Sequence, residues 1–162
     1  MERSPIIPGG KSMRRELRFK ALDEARAEID RLEKGPVETT GNWSYYQILN
    51  HCAKGIQSST TSFSTTKTWL LRRLIGPIGL RKVFKQGFIP PGVGVKKGAT
   101  FERIEGDEKA ALAALRKALD DFEKHEGPWA EHPFFGKLDK KQWTLLTSLH
   151  LANHLGWAKP KG

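Results

Sequence analysis

Residues 139–157 read DKKQWTLLTSLHLANHLGW. Asp139 and Gln142 stand three apart, the spacing in which an N-cap side chain and the third helical residue each bond a free backbone N–H. A helix is therefore predicted from Asp139 to about Trp157, before Pro160. At 3.6 residues per turn, Trp143, Leu146, His150 and Trp157 share roughly one face, and His154 falls within it. Histidines at i and i+4 project both imidazoles to one side of a helix. The last helix therefore carries an apolar stripe with two ring nitrogens set into it.

Working backwards, Leu112, Leu115, Leu119 and Phe122 repeat at 3, 4 and 3, which predicts a helix over Asp107–His125 that ends at Gly127-Pro128. A loop, Trp129–Leu138, joins it to the last helix. Near the start, Leu22, Ala25, Ile29 and Leu32 predict a first helix from Leu22 to Lys34, stopped by Gly35-Pro36. Ser44 and Gln47 form another capping box, and Ile48, Leu49, Cys52 and Ile56 give the second helix its apolar face. That helix fades through the Ser/Thr-rich Ser58–Thr66, with packing able to carry it to about Phe63. Trp69–Lys85 reads as a shorter basic helix with a break at Gly76-Pro77. Gly87–Gly106 is a long irregular connection. No strand pattern and no internal repeat stands out. Four substantial helices with one long crossover between the second and third predict an all-α four-helix bundle. Residues 1–13 are expected to be a flexible arm and residues 14–162 a single domain; Arg14–Lys20 alternates charged and apolar residues and reads as extended.

Composition sets the outer limits. A chain of 162 residues fits one hydrophobic core. Its single cysteine, Cys52, excludes an intramolecular disulfide framework and favours a reducing, cytoplasmic setting. No apolar run is long enough for a membrane span. Met1–Lys20 lacks the apolar core of a secretory signal. The net charge of +10 gathers in three clusters, around Lys11–Lys20, Lys67–Lys85 and Lys137–Lys161. Such a surface suits nucleic acid, an anionic membrane or acidic small molecules. No nucleic-acid motif accompanies it, so a basic solvated surface is the preferred reading.

On the second helix, Ile48, His51, Cys52 and Gly55 form the side expected to face inward. Gly55, one turn after His51, removes a side chain where open space is useful. Three inward imidazoles need partners in an apolar core, and a metal ion would satisfy one nitrogen on each. The competing reading makes them exposed, or singly hydrogen-bonded, since HxxxH alone is a weak motif and Leu151 stands where a metalloprotease has glutamate. His132 is a weaker candidate for a catalytic substrate contact or proton carrier; as a turn residue before Pro133 it has an equally simple role. Cys52 reads as a small core residue, His125 as an exposed residue at a helix end, and the five tryptophans as packing residues of which one or two wall a pocket.

These stretches also carry a resemblance. Phe19–Ala25, Gly41–Ser44 with Ile48–Lys54, His132–Leu138 and Gln142–Leu155 together resemble the DinB-like superfamily, in a branch known as a domain of unknown function. The resemblance spans most of residues 15–157. It implies a four-helix bundle with a long crossover after the second helix. It also implies a divalent-metal triad that falls on His51, His150 and His154, the metal being zinc, nickel or iron. In that branch a second histidine often directly precedes the last ligand, where this chain has Asn153. Ala21 stands where a capping Ser is expected.

Relatives in the superfamily include thiol-dependent S-transferases and metal-dependent hydrolases or isomerases. The leading expectation is a metal-binding protein acting as a thiol S-transferase, or a hydrolase, on a small-molecule thiol and an electrophile, with a homodimer as the implied assembly. The first alternative is a non-catalytic bundle with a structural or vestigial metal site. A basic nucleic-acid-associated protein ranks below both.

Overall fold

A computed structural model describes residues 14–63, 69–90 and 102–162. The expected N-terminal arm, the end of the Ser/Thr stretch and the middle of the crossover lie outside these residues. In chain order the elements are α1 (Leu22–Glu33), β1 (Val37–Thr39), α2 (Tyr45–Thr60), α3 (Trp69–Leu74), α4 (Gly76–Gln86), α5 (Glu108–Lys124), α6 (Lys140–Leu155) and β2 (Ala158–Pro160). The described chain is mostly helical, with six helices and one small two-stranded sheet.

The helix boundaries follow the caps. The Ser44 hydroxyl accepts from Gln47 N while the Gln47 side chain accepts from Ser44 N. Asp139 and Gln142 repeat this arrangement at α6. Asp107 caps α5 by accepting from Ala110 N at 3.0 Å. Ala21, which has no side-chain acceptor, leaves the start of α1 without such a bond. The basic helix is broken at Ile75, and Pro77 sits in the first turn of α4, where a missing N–H costs nothing.

α2 packs along α5 and also meets α6, while α1 packs on α6. The predicted stripes of α1, α2 and α5 point into a shared core: Ile29, Leu49, Ile56, Leu115 and Leu119 are all essentially inaccessible. α6 differs from the one-stripe expectation. Leu146, Thr147, Ser148, Leu149, Leu151 and Asn153 are buried around nearly its whole circumference. It is a central helix, and Ser148 is compatible with burial because its hydroxyl donates to Thr144 O within the helix.

The mostly helical chain agrees with the all-α expectation, and one small sheet adds to it. Val37, Glu38 and Thr39 pair antiparallel with Pro160, Lys159 and Ala158. Three-residue strands are too short to display an alternating pattern, so nothing in their sequence announces them. Their effect is positional. With Thr40 N bonded to Trp157 O at 2.9 Å, they tie the approach to α2 onto the end of α6, bringing the two histidine-bearing helices into register. α3 and α4 lie more openly, with Leu70, Leu74, Ile75 and Ile78 each more than half exposed. No helix among the described residues is long and apolar enough to cross a membrane.

Candidate metal centre

The capping box fixes where α2 starts, and so fixes the phase at which His51 leaves the helix. The α6 box does the same for His150 and His154. Across the α2–α6 contact the three side chains converge. One ligand nitrogen from each lies within 4.8 Å of the others. His51 Nε2 and His150 Nε2 are 3.1 Å apart. Tetrahedral zinc with bonds of 2.0–2.1 Å spaces its ligand atoms about 3.3 Å apart, so this edge already has a metal-site length. The ring centroids lie 4.3–5.1 Å from one another, at steep tilts. Rings stacked flat would point their nitrogens past a common centre; tilted rings can aim at one.

Burial holds all three imidazoles neutral, the state that ligates metal. The His150 ring is pushed down to about 3 by burial, with His51 and His132 adding to the effect. His154 is lowered further, by burial first and then by His150, His51 and Arg14. His51 sits at the rim; desolvation and the Lys54 ammonium lower it as well. Among the described residues, no acidic side chain belongs to the cluster.

The surroundings refine the sequence reading residue by residue. The space left by Gly55 lies beside His150 rather than His51: a β-carbon there would stand 3.3 Å from His150 Cε1. Trp43 forms a wall, stacked on His154 at 5.6 Å and 10° and tilted over His51 at 5.0 Å. Asn153 points elsewhere. Its Oδ1 accepts from Arg14 Nη1 at 3.2 Å, so its side chain serves the segment before α1.

His132 is a turn-builder. Its Nδ1 accepts the backbone N–H groups of Phe134 and Phe135 at 3.1 and 3.2 Å, and its ring stacks on Phe135 at 4.7 Å. Burial lowers it to about 4, so it is neutral with the proton on Nε2. Cys52 is fully buried and its thiol is pushed up to about 12, which removes it as a nucleophile. His125 is not a free surface group: its Nε2 lies 2.9 Å from Pro128 O, and its ring meets Trp129 edge-on.

Beside His51 opens a groove of about 520 Å³. One wall is the α2 face that carries Gln47, Asn50, His51 and Lys54. The other is the segment Glu102–Ile104, which the sequence placed in an irregular connection. Gln47 fastens that segment, donating from Nε2 to Glu102 O and accepting from Ile104 N. The Ser44 hydroxyl also donates to Ile104 O. The positions 47, 50, 51 and 54 follow helical spacing, so the stripe was visible in the sequence, but a polar stripe usually means a solvated face.

A family model described as "Protein of unknown function (DUF1569)" matches residues 11–161. The chain belongs to that family. No curated protein and no solved structure matches it. Membership in the DUF1569 family names no reaction, so the chemistry of the centre must come from the donor set: three neutral nitrogens and, among the described residues, no carboxylate, with His51 lining the groove.

Proposed function

We propose that this protein is a DinB-like metal-binding protein. In this reading α1, α2, α5 and α6 form a four-helix bundle with the long crossover between α2 and α5. His51, His150 and His154 hold a divalent ion, and the protein acts as a thiol S-transferase. The observation that carries the reading is the convergence of the three ligand nitrogens within 4.8 Å. The donor set fits a metal well. Neutral imidazoles suit zinc, nickel and iron alike, and three protein ligands leave a position open. An ion there would supply Lewis acidity and lower the pKa of a bound thiol or water.

The chain's own residues supply position and shelter. The two capping boxes fix the rings' phase, and Trp43 shields His154 and His51 from bulk water. Neither Cys52 nor His132 is free to act as a protein nucleophile or shuttle, so the thiol must come from a small molecule entering by the groove. In the transfer, the thiol releases its proton to solvent. Its sulfur then forms the S–C bond, and the leaving group departs with the bonding pair.

The test pairs 2-mercaptoethanol with monochlorobimane and follows adduct fluorescence. Metal-loaded wild-type protein is expected to accelerate adduct formation, and His150→Ala to lose at least 100-fold of that rate while keeping its helical circular dichroism. A metal-loaded protein with no acceleration would instead assign the centre to a structural, non-catalytic role.

A further inference from the structure

We propose that the outward face of α3 and α4 seats the protein on an anionic lipid surface, its leucines and isoleucines entering the headgroup boundary and its cations meeting the lipid phosphates. The proposal is independent of the metal centre and takes up the second basic cluster, which that centre leaves unused. Three observations carry it.

The first is what the face presents. Leu70, Leu74, Ile75 and Ile78 follow one another across the break between the two helices, and each is more than half exposed. Leu70, Arg73 and Leu74 share one side of α3 by i, i+3 and i+4 spacing. Ile78, Arg81, Lys82 and Lys85 share one side of α4 in the same way. All four of these cations are exposed. Helices that lie in a membrane interface have this composition, apolar side chains that sink below the headgroups with Lys and Arg beside them.

The second is charge. Residues 39–101 hold nine Lys and Arg and no Asp or Glu. Arg72 pairs at 3.5 Å with Glu131, from outside that stretch. Arg73, Arg81, Lys82 and Lys85 form no ion pair among the described residues. The surplus selects an anionic partner, and the apolar side chains select among anions. Nucleic acid would offer phosphates to the cations but no apolar depth to Leu74 and Ile78. A second copy docked through the same face would set these cations against their own counterparts. An anionic lipid surface answers both halves of the face.

The third is how the face is held. α4 turns Gly76 and Leu80 inward. A β-carbon at Gly76 would stand 2.8 Å from Phe134 O, and one at Gly79 would stand 3.4 Å from the Phe135 ring. The helix is thus docked closely on the turn that His132 builds. Ile78, Arg81, Lys82 and Lys85 lie on the side opposite Gly76 and Leu80, so docking one side presents the other. A face already held outward spares the ordering cost of binding.

Co-sedimentation with large vesicles tests this, using phosphatidylcholine alone and an equal mixture of phosphatidylcholine and phosphatidylglycerol. Wild type is expected to bind the mixed vesicles at least about 10-fold more tightly than the neutral ones. Leu74→Ser/Ile78→Ser leaves the charge unchanged and is expected to weaken that binding by about 10-fold or more. Arg81→Gln/Lys82→Gln/Lys85→Gln is expected to weaken it similarly. A charge-matched variant at exposed lysines of α5 and α6, Lys109→Gln/Lys124→Gln/Lys141→Gln, is expected to keep most of it. Ile78→Trp, at unchanged helicity, is expected to bind more tightly than wild type, because indole favours the interface. Equal binding to both vesicles, indifference to Leu74→Ser/Ile78→Ser, or equal losses from the two charge variants would overturn the proposal. Duplex DNA binding that falls with Arg81→Gln/Lys82→Gln/Lys85→Gln while vesicle binding does not would also overturn it and assign the face to nucleic acid.

Discussion

Gly55 has no side chain, and a β-carbon there would sit 3.3 Å from His150 Cε1. In an exposed helix, replacing Gly by Ala gains about 1 kcal/mol. Here that gain meets a ring that must give way by a few tenths of an ångström. Gly55→Ala is therefore expected to hold or slightly raise the melting temperature while weakening metal affinity. Gly55→Val, with two further methyls against the ring, is expected to weaken it at least 10-fold. Thermal melts and metal titrations of both variants read the two effects separately.

The triad's acid behaviour follows from the same burial. His150 is lowered to about 3 and His154 further, whereas both titrate near 6.5 once unfolded. Below 6.5 the unfolded chain binds protons that the folded chain refuses, so stability falls with pH. The metal-free protein is expected to hold its stability above pH 7 and lose it steadily from about 6.5 towards 3, as denaturant titrations at several pH values would show. Replacing His150 and His154 by Gln should flatten that slope. At this scale the candidate ligands were legible, because i, i+4 spacing and helix phase are properties of the sequence. That Gly55 serves His150, and that Asn153 serves Arg14, depends on which helix lies opposite, and local sequence does not encode it.

At the scale of elements, α2 does most of the positioning. Its capping box sets the phase of His51, and the same two side chains fasten the far wall of the groove. Removing an N-cap hydroxyl typically costs about 1 kcal/mol. Ser44→Ala should cost that and also lose the bond from the buried Ser44 hydroxyl to Ile104 O, for about 2 kcal/mol in all. Asp139→Ala, whose cap sits at an exposed helix start, should cost only about 1 kcal/mol. Chemical denaturation distinguishes the two. Both caps could be read from residues three apart, and the ends of α1 and α5 from Gly35-Pro36 and Gly127-Pro128. β1 and β2 could not, because three residues carry no period. The even burial of α6 was partly hidden too: Thr147, Ser148 and Asn153 look like a polar face until neighbours cover it.

Across the whole molecule, the two ends of the described chain close on each other. Arg15 donates to Leu155 O and Ala158 O and pairs with Glu28 at 2.6 Å, and its backbone N–H bonds Gly156 O. Gly156 has no room for a side chain, since Arg15 O lies 2.6 Å from where a β-carbon would stand. Arg116 on α5 spans to Asp30 and Glu33 on α1, and Arg26 on α1 spans to Asp120 and Glu123 on α5. The α1–α5 pairs are largely exposed and contribute little each. Arg15 pairs with the sheltered Glu28 and satisfies carbonyls at the end of α6, so Arg15→Ala is expected to destabilise the protein by about 2 kcal/mol in equilibrium unfolding, against under 1 kcal/mol for Arg116→Ala.

The helical core was legible at this scale because four apolar stripes must be buried together. The strap formed by Arg14–Leu17 was not, since it depends on carbonyls freed at a helix end 140 residues away. All of this architecture holds His51 against His150 and His154, and metal content measures that most directly. Purified wild-type protein should carry close to one divalent ion per chain by elemental analysis, and a His51→Ala/His150→Ala/His154→Ala variant of equal helicity should carry none. Equal metal content in the two proteins would contradict the account.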